Sequence, residues 1–141
     1  MPIFSLCVFF YVCAHYAHRS FEKDNPNDFG ASITWIKKNT PSKDLWMVLT
    51  GARDIYTLRL ISERSVYFDD SWPYNEDAIP EYLRRREIQM KATETSYPNL
   101  LKTAQQEQIS YLYTDKPLKD APSEALVFHN TGYFIYHLKP L

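Results

Sequence analysis

The sequence predicts an α/β fold: a three-layer, Rossmann-like sandwich with a mainly parallel sheet and a C-terminal antiparallel hairpin, preceded by an apolar N-terminal helix. Three observations lead there. Apolar runs of strand length alternate with segments of helical periodicity. The last two strand-like runs are separated only by Asn130-Thr131-Gly132. The first eighteen residues carry no Lys, Arg, Asp or Glu, whereas every charged residue falls at or after Arg19. At 141 residues, 45% hydrophobic and 23% charged, the chain has the size and makeup of one folded domain.

The compositional break divides the chain into an apolar, partly transmembrane segment (1–18), a linker (19–28) and a soluble α/β domain (29–141). Residues 2–17, PIFSLCVFFYVCAHYA, reach only ~24 Å as a helix against a ~30 Å hydrocarbon core, slightly too short to span alone. Three readings compete: the end of a transmembrane helix that starts upstream, a signal peptide, and a buried core helix. No basic residue precedes Ile3, which disfavours the signal peptide, although Val12-Cys13-Ala14 passes as a cleavage site. Residues 3–16 are apolar around the whole helical wheel apart from Ser5 and His15, which disfavours a soluble helix. The membrane reading leads, with Tyr11 and Tyr16 near the polar end.

Asn25-Pro26-Asn27-Asp28 supplies a helix start, and Phe29, Ile33 and Ile36 follow on one face until Pro41 stops it. The continuous apolar run 45–50 suits a strand covered on both faces. Gly51 breaks it before a short helix over 54–62, and 65–69 is a second strand. Pro80 opens a long polar helix to about Ala92, Pro98 opens another through Gln108, and 109–114 is the third strand. The stretch 115–123 is a loop. The runs 125–129 and 133–138 form the hairpin, with Gly132 expected to supply a positive φ.

In an open parallel sheet, ligands bind beyond the carboxyl ends of the strands. The residues there are Thr50, Gly51, Arg53 and Asp54, then Asp69 and Asp70, then Asp115 and Lys116. Arg53, Asp69, Asp70, Asp115 and Lys116 are the candidate ligand-binding set: carboxylates that hold a cation, with a Lys and an Arg for a phosphate. Charged residues also cap strand ends in any α/β protein. The single glycine of Thr50-Gly51-Ala52-Arg53-Asp54 lacks the spacing of a phosphate-cradling loop. Arg84-Arg85-Arg86 is flanked by Glu81 and Glu87 and reads as a solvated helix face. With 16 basic and 17 acidic residues, no global field attracts nucleic acid. His15-x-x-His18 lacks a third ligand nearby, His129 and His137 fall on the hairpin, and Cys7 and Cys13 do not converge for a disulfide. No metal site or cofactor is expected, and no catalytic residue is identified.

The order of landmarks, Trp35-Ile36-Lys37-Lys38-Asn39-Thr40-Pro41, the apolar strand, Leu58-Arg59-Leu60-Ile61-Ser62-Glu63-Arg64-Ser65-Val66-Tyr67 with Asp69, Trp72-Pro73-Tyr74 and Gly132-Tyr133, resembles the soluble C-terminal domain of uncharacterised bacterial polytopic membrane proteins. Some of these are similar to membrane glycosyltransferases that use lipid-linked sugars. The resemblance covers about residues 29–138. It implies a domain on the extracytoplasmic side of the cell membrane, preceded by a membrane portion that carries the catalytic carboxylates. Arg59, Ser62 and Arg64 match the family's polar positions, and a structural role is favoured for them. The expectation is a non-catalytic accessory domain of an integral membrane protein linked to envelope glycan synthesis. Its expected partners are the membrane, through the N-terminal segment, and a glycan or lipid-linked sugar. The alternative is a small independent α/β enzyme that uses the acidic strand ends.

Overall fold

A computed structural model describes residues 26–71 and 73–138. Helix α1 (Pro26–Asn39) starts on a proline whose missing N–H costs nothing in the first turn. Asp28 in that turn and Lys37 and Lys38 in the last complement the helix dipole. It presents Ile33 and Ile36 to the core. Strand β1 (Leu45–Leu49) follows, with Trp46 and Val48 facing α1 and Met47 facing the opposite layer. Helix α2 (Ala52–Ser62) ends at Glu63, whose φ of 57° breaks the helical path. It buries Ile55 and Leu58 beside α1. Strand β2 is only Ser65–Val66.

On the other face, α3 (Ile79–Ala92) and α4 (Tyr97–Gln106) each carry a proline in the first turn. Tyr97, Leu100 and Ala104 of α4 cover Met47 of β1 and Leu112 of β3 (Tyr111–Thr114). A loop then leads to the hairpin of β4 (Leu126–His129) and β5 (Phe134–His137), and the backbone N–H of Leu118 in that loop donates to the Tyr136 hydroxyl at 3.0 Å.

The strand order is β2-β1-β3-β5-β4. β1 pairs in parallel with both β2 and β3, whereas β3–β5 and β5–β4 are antiparallel. This corrects the expected mainly parallel, Rossmann-like sheet to a mixed one. The reasons are local. β2 leaves the sheet after two residues because the chain turns at Phe68 to Asp70, and Asp70 takes a φ of 58°. The hairpin is no edge decoration: β5 fills the whole length of β3, from Tyr111↔His137 to Thr114↔Phe134. Nor does Gly132 adopt a positive φ. The Asn130 side chain holds that turn instead, its Oδ1 accepting from the N–H groups of Gly132 at 3.1 Å and Tyr133 at 2.8 Å.

The expected transmembrane helix is also corrected. Among the described residues no helix is long and apolar enough to cross a membrane. The longest, α1 and α3, have 14 residues each, roughly 21 Å at 1.5 Å per residue. The apolar segment 1–18, with its His and Cys residues, and most of the linker lie outside the described residues, as does Trp72.

Arg64 joins these elements. Its side chain is buried, and its Nη2 donates to the carbonyls of Thr40 at 2.7 Å and of Ile36 and Lys37 at 3.3 Å, the open carbonyl end of α1. Nε donates to Thr40 Oγ1 at 3.2 Å, and Nη1 reaches the Ser62 carbonyl at 2.8 Å, the end of α2. Ser62 is itself buried and its hydroxyl donates to the Leu58 carbonyl. Arg59, by contrast, is half-exposed and pairs with Asp69. Arg64→Lys keeps the charge and loses the fork. It is expected to cost about 2 kcal/mol and to lower the Tm by roughly 10 °C in calorimetry. Arg59→Lys should cost under about 1 kcal/mol. Equal small effects would show that the buried fork carries no special share of the stability.

Candidate functional site

Helix α3 carries the run Arg84-Arg85-Arg86, and successive side chains on a helix point about 100° apart. Arg84 faces Glu81 and Glu107, donating to Glu81 Oε2 at 2.7 Å and to Glu107 Oε1 at 2.6 Å. Arg85 donates to Glu81 Oε1 at 2.6 Å and to the Tyr67 carbonyl at 3.2 Å, and its guanidinium lies 5.2 Å from the centre of the Tyr67 ring. The Tyr67 hydroxyl completes the cluster by donating to Glu107 Oε2 at 3.0 Å. These bonds set the titrations. Hydrogen bonds from Arg84 and then Arg85 hold Glu81 down at about 2, and the bond from Arg84 lowers Glu107. Burial, followed by the bond to Glu107, pushes the Tyr67 phenol up to about 12.

With Arg84 and Arg85 engaged, Arg86 turns to the far side of α3. It forms no ion pair or hydrogen bond among the described residues and lines a cleft of about 320 Å³. The cleft lies at the carboxyl end of β1. Thr50 comes from the end of that strand, Asp70 from the turn after β2, and Arg86 and Gln89 from one face of α3. Ile55, Phe68 and Met90 make its apolar walls. This position follows from the topology. α2 crosses on one face and α3 with α4 on the other, so β1 lies between two parallel neighbours, the kind of switch point at which α/β sheets open a crevice.

Two residues that line the cleft each hold a buried side-chain atom without a hydrogen-bond partner: Thr50 Oγ1 and Gln89 Oε1. Leaving such groups unpaired costs about 1–3 kcal/mol each, so they are candidates for contact with something that is not protein. Asp70 Oδ1 accepts from the Tyr82 hydroxyl at 3.2 Å. No ion pair joins Asp70 to Arg86, so the cleft presents an acceptor and a donor of opposite charge.

Of the ligand-binding set expected from the sequence, Asp70 is the only one whose described side chain lines this cleft. Asp69 is engaged by Arg59. Asp115 and Lys116 are exposed after β3 and do not line it. Arg53 lies in the first turn of α2, and its side chain is outside the described residues. Among the described residues no three His, Cys, Asp or Glu side chains gather to hold a metal ion. His129 is exposed and stacks on Phe134, and the ring of His137 lies 4.9 Å from that of Tyr111. Sequence reasoning missed Arg86 and Gln89 by treating the arginine run as one solvated face. The signal was their i, i+3 spacing, which separates Arg86 from Glu81 and places it with Gln89.

Comparison with known proteins finds no matching family model, no matching curated protein and no matching solved structure.

The Glu81–Arg84–Glu107 cluster ties α3 to the end of α4, and its sign with pH is fixed. Carboxylates whose folded pKa is depressed contribute stability that is present above their unfolded value near 4.3. It is lost as pH falls toward about 2. Denaturant titrations between these limits should show stability declining, and a shallower decline in Glu81→Gln. An unchanged slope in that variant would contradict the coupling.

Proposed function

We propose that this is a non-catalytic accessory domain of the bacterial cell envelope, on the extracytoplasmic side of the membrane, and that it serves glycan synthesis by binding a sugar in the cleft at the end of β1. The observation that carries the reading is the pair of partnerless buried atoms, Thr50 Oγ1 and Gln89 Oε1, on residues that line a cleft together with Asp70 and Arg86. A carboxylate, a guanidinium, an amide and a hydroxyl in a cleft also lined by Phe68 match a ring that carries hydroxyl groups on its edge and C–H groups on its faces. The cleft volume lies at the small end of ligand sites and suits one ring better than a chain. Binding rather than transformation is favoured because Thr50 Oγ1 has no base in hydrogen-bond contact to activate it as a nucleophile. The resemblance of residues 29–138 to domains of envelope membrane proteins supports the setting.

Titration of the full chain with glucose, galactose and N-acetylglucosamine, followed by amide chemical shifts, tests this. At least one sugar should saturate, with shifts clustered at Thr50, Asp70, Arg86 and Gln89, and Arg86→Ala should weaken it about tenfold. No saturable shifts with any of the three would refute the assignment.

A further inference from the structure

Helix α2 is apolar on both faces. Ile55 and Leu58 are buried in the core beside α1, and at about 100° per residue Leu60 falls roughly opposite them. Leu60 is 74% exposed, Ile61 52% and Tyr56 41%. A helix that is apolar all round is ordinarily covered all round, so the outer face of α2 calls for a partner. Its surroundings are cationic. Ile61 directly precedes Ser62, whose carbonyl shares the Arg64 guanidinium with the carbonyl of Lys37, so Lys37 and Lys38 in the last turn of α1 stand beside it. Lys43 follows in the exposed turn to β1, and none of these three lysines forms an ion pair among the described residues. The acidic neighbours are Glu63, which is exposed, and Asp69, which Arg59 engages. On the other flank the Tyr56 hydroxyl lies 3.3 Å from Ser71 Oγ, and the exposed Tyr74 follows Pro73, which lines a second cleft with Arg59.

We propose that this face seats the domain on an anionic lipid bilayer without crossing it, a proposal that rests on the envelope setting above. Leu60 and Ile61 enter the boundary between headgroups and acyl chains. Tyr56 and Tyr74 lie among the headgroups, and the lysines reach lipid phosphates on their long stems. Size favours a bilayer over a second copy of the chain. A stable protein contact takes about 20–30 residues a side, far more than this patch offers, whereas an interfacial anchor needs only a few inserted side chains. Charge favours it as well. A bilayer presents phosphates above acyl chains in one layered surface, which matches lysines at the rim of an apolar centre.

The test adds the full chain to bicelles of phosphatidylcholine and phosphatidylglycerol that carry a headgroup spin label. Loss of amide signal is read residue by residue, which keeps the α2 face distinct from residues 1–18. Signals of Tyr56, Leu60, Ile61 and Lys38 should broaden, whereas those of Val127 and His129 at the β4 edge stay sharp. Leu60→Gln combined with Ile61→Gln should abolish the broadening along α2 and leave the Tm nearly unchanged, because both side chains are exposed and glutamine keeps the helix. Bicelles of phosphatidylcholine alone should broaden these signals several-fold less. Broadening centred on another face, or unchanged by the two substitutions, would overturn the proposal. So would nuclear Overhauser contacts, in lipid-free solution, between Leu60 or Ile61 and residues 1–18 or a second copy. Equal broadening with phosphatidylcholine alone would overturn the anionic bilayer as the partner. Each of these failures leaves the sugar reading to its own titration, since Tyr56, Leu60 and Ile61 do not line that cleft.

Discussion

The guanidinium of Arg64 closes the carbonyl ends of two helices at once, and the arrangement of the parallel half of the sheet depends on it. A buried charge is ordinarily too costly to keep without a counter-ion. Here the carbonyls of Ile36, Lys37, Thr40 and Ser62 accept its hydrogen bonds, and the negative ends of the two helix dipoles supply the opposing field. The chain leaves α1 toward β1 and leaves α2 toward β2 at this same place. Tying both exits to one planar group fixes where the two strands start, and the register Leu45↔Ser65 follows. Five residues on from each partner stand Thr50 and Asp70, which both line the cleft. A constraint at the amino ends of the strands thus aligns polar groups at their carboxyl ends.

The remainder of the core is organised by aromatic contacts across the sheet. On the α1 face, Trp46 stacks on Tyr111 at 4.6 Å, Tyr113 on Tyr133 at 5.1 Å, and Phe29 meets Tyr133 edge-on at 5.7 Å. Buried tyrosines need a partner for each hydroxyl. Tyr113 finds one in Ser32 of α1 at 2.9 Å. The hairpin turn is attached to the start of the same helix, where Asn130 Nδ2 donates to the Asp28 carbonyl at 2.7 Å and the Thr131 hydroxyl donates to the Asp28 carboxylate. The antiparallel half is therefore as firmly joined to α1 as the parallel half, which is why the sheet is mixed in its substance and not only at an edge.

The number of elements and their order were legible because each carries a local signal: Pro26, Pro80 and Pro98 in first turns, the apolar run of β1, and the two runs around Asn130. The balance of parallel and antiparallel pairing was not legible, since it depends on how long each pairing persists. Nothing in Ser65-Val66-Tyr67-Phe68 announces that the strand stops after Val66. The cleft was half legible. The rule that ligands sit at strand ends points to Thr50 and Asp70. Arg86 and Gln89 arrive from a helix 16 or more residues further along the chain, on a face identifiable only once Arg84 and Arg85 have been paired off by Glu81 and by the distant Glu107.

We propose that the carboxyl end of β1 holds hydrogen-bonding groups reserved for a ligand. Crystal structures of the full chain grown with glucose, galactose and N-acetylglucosamine in turn test this. One sugar should occupy the cleft, its hydroxyl groups bonded to Thr50 Oγ1 and Gln89 Oε1, with the sheet unchanged. A cleft left empty, with those two atoms bonded to each other or to neighbouring protein groups, would contradict it.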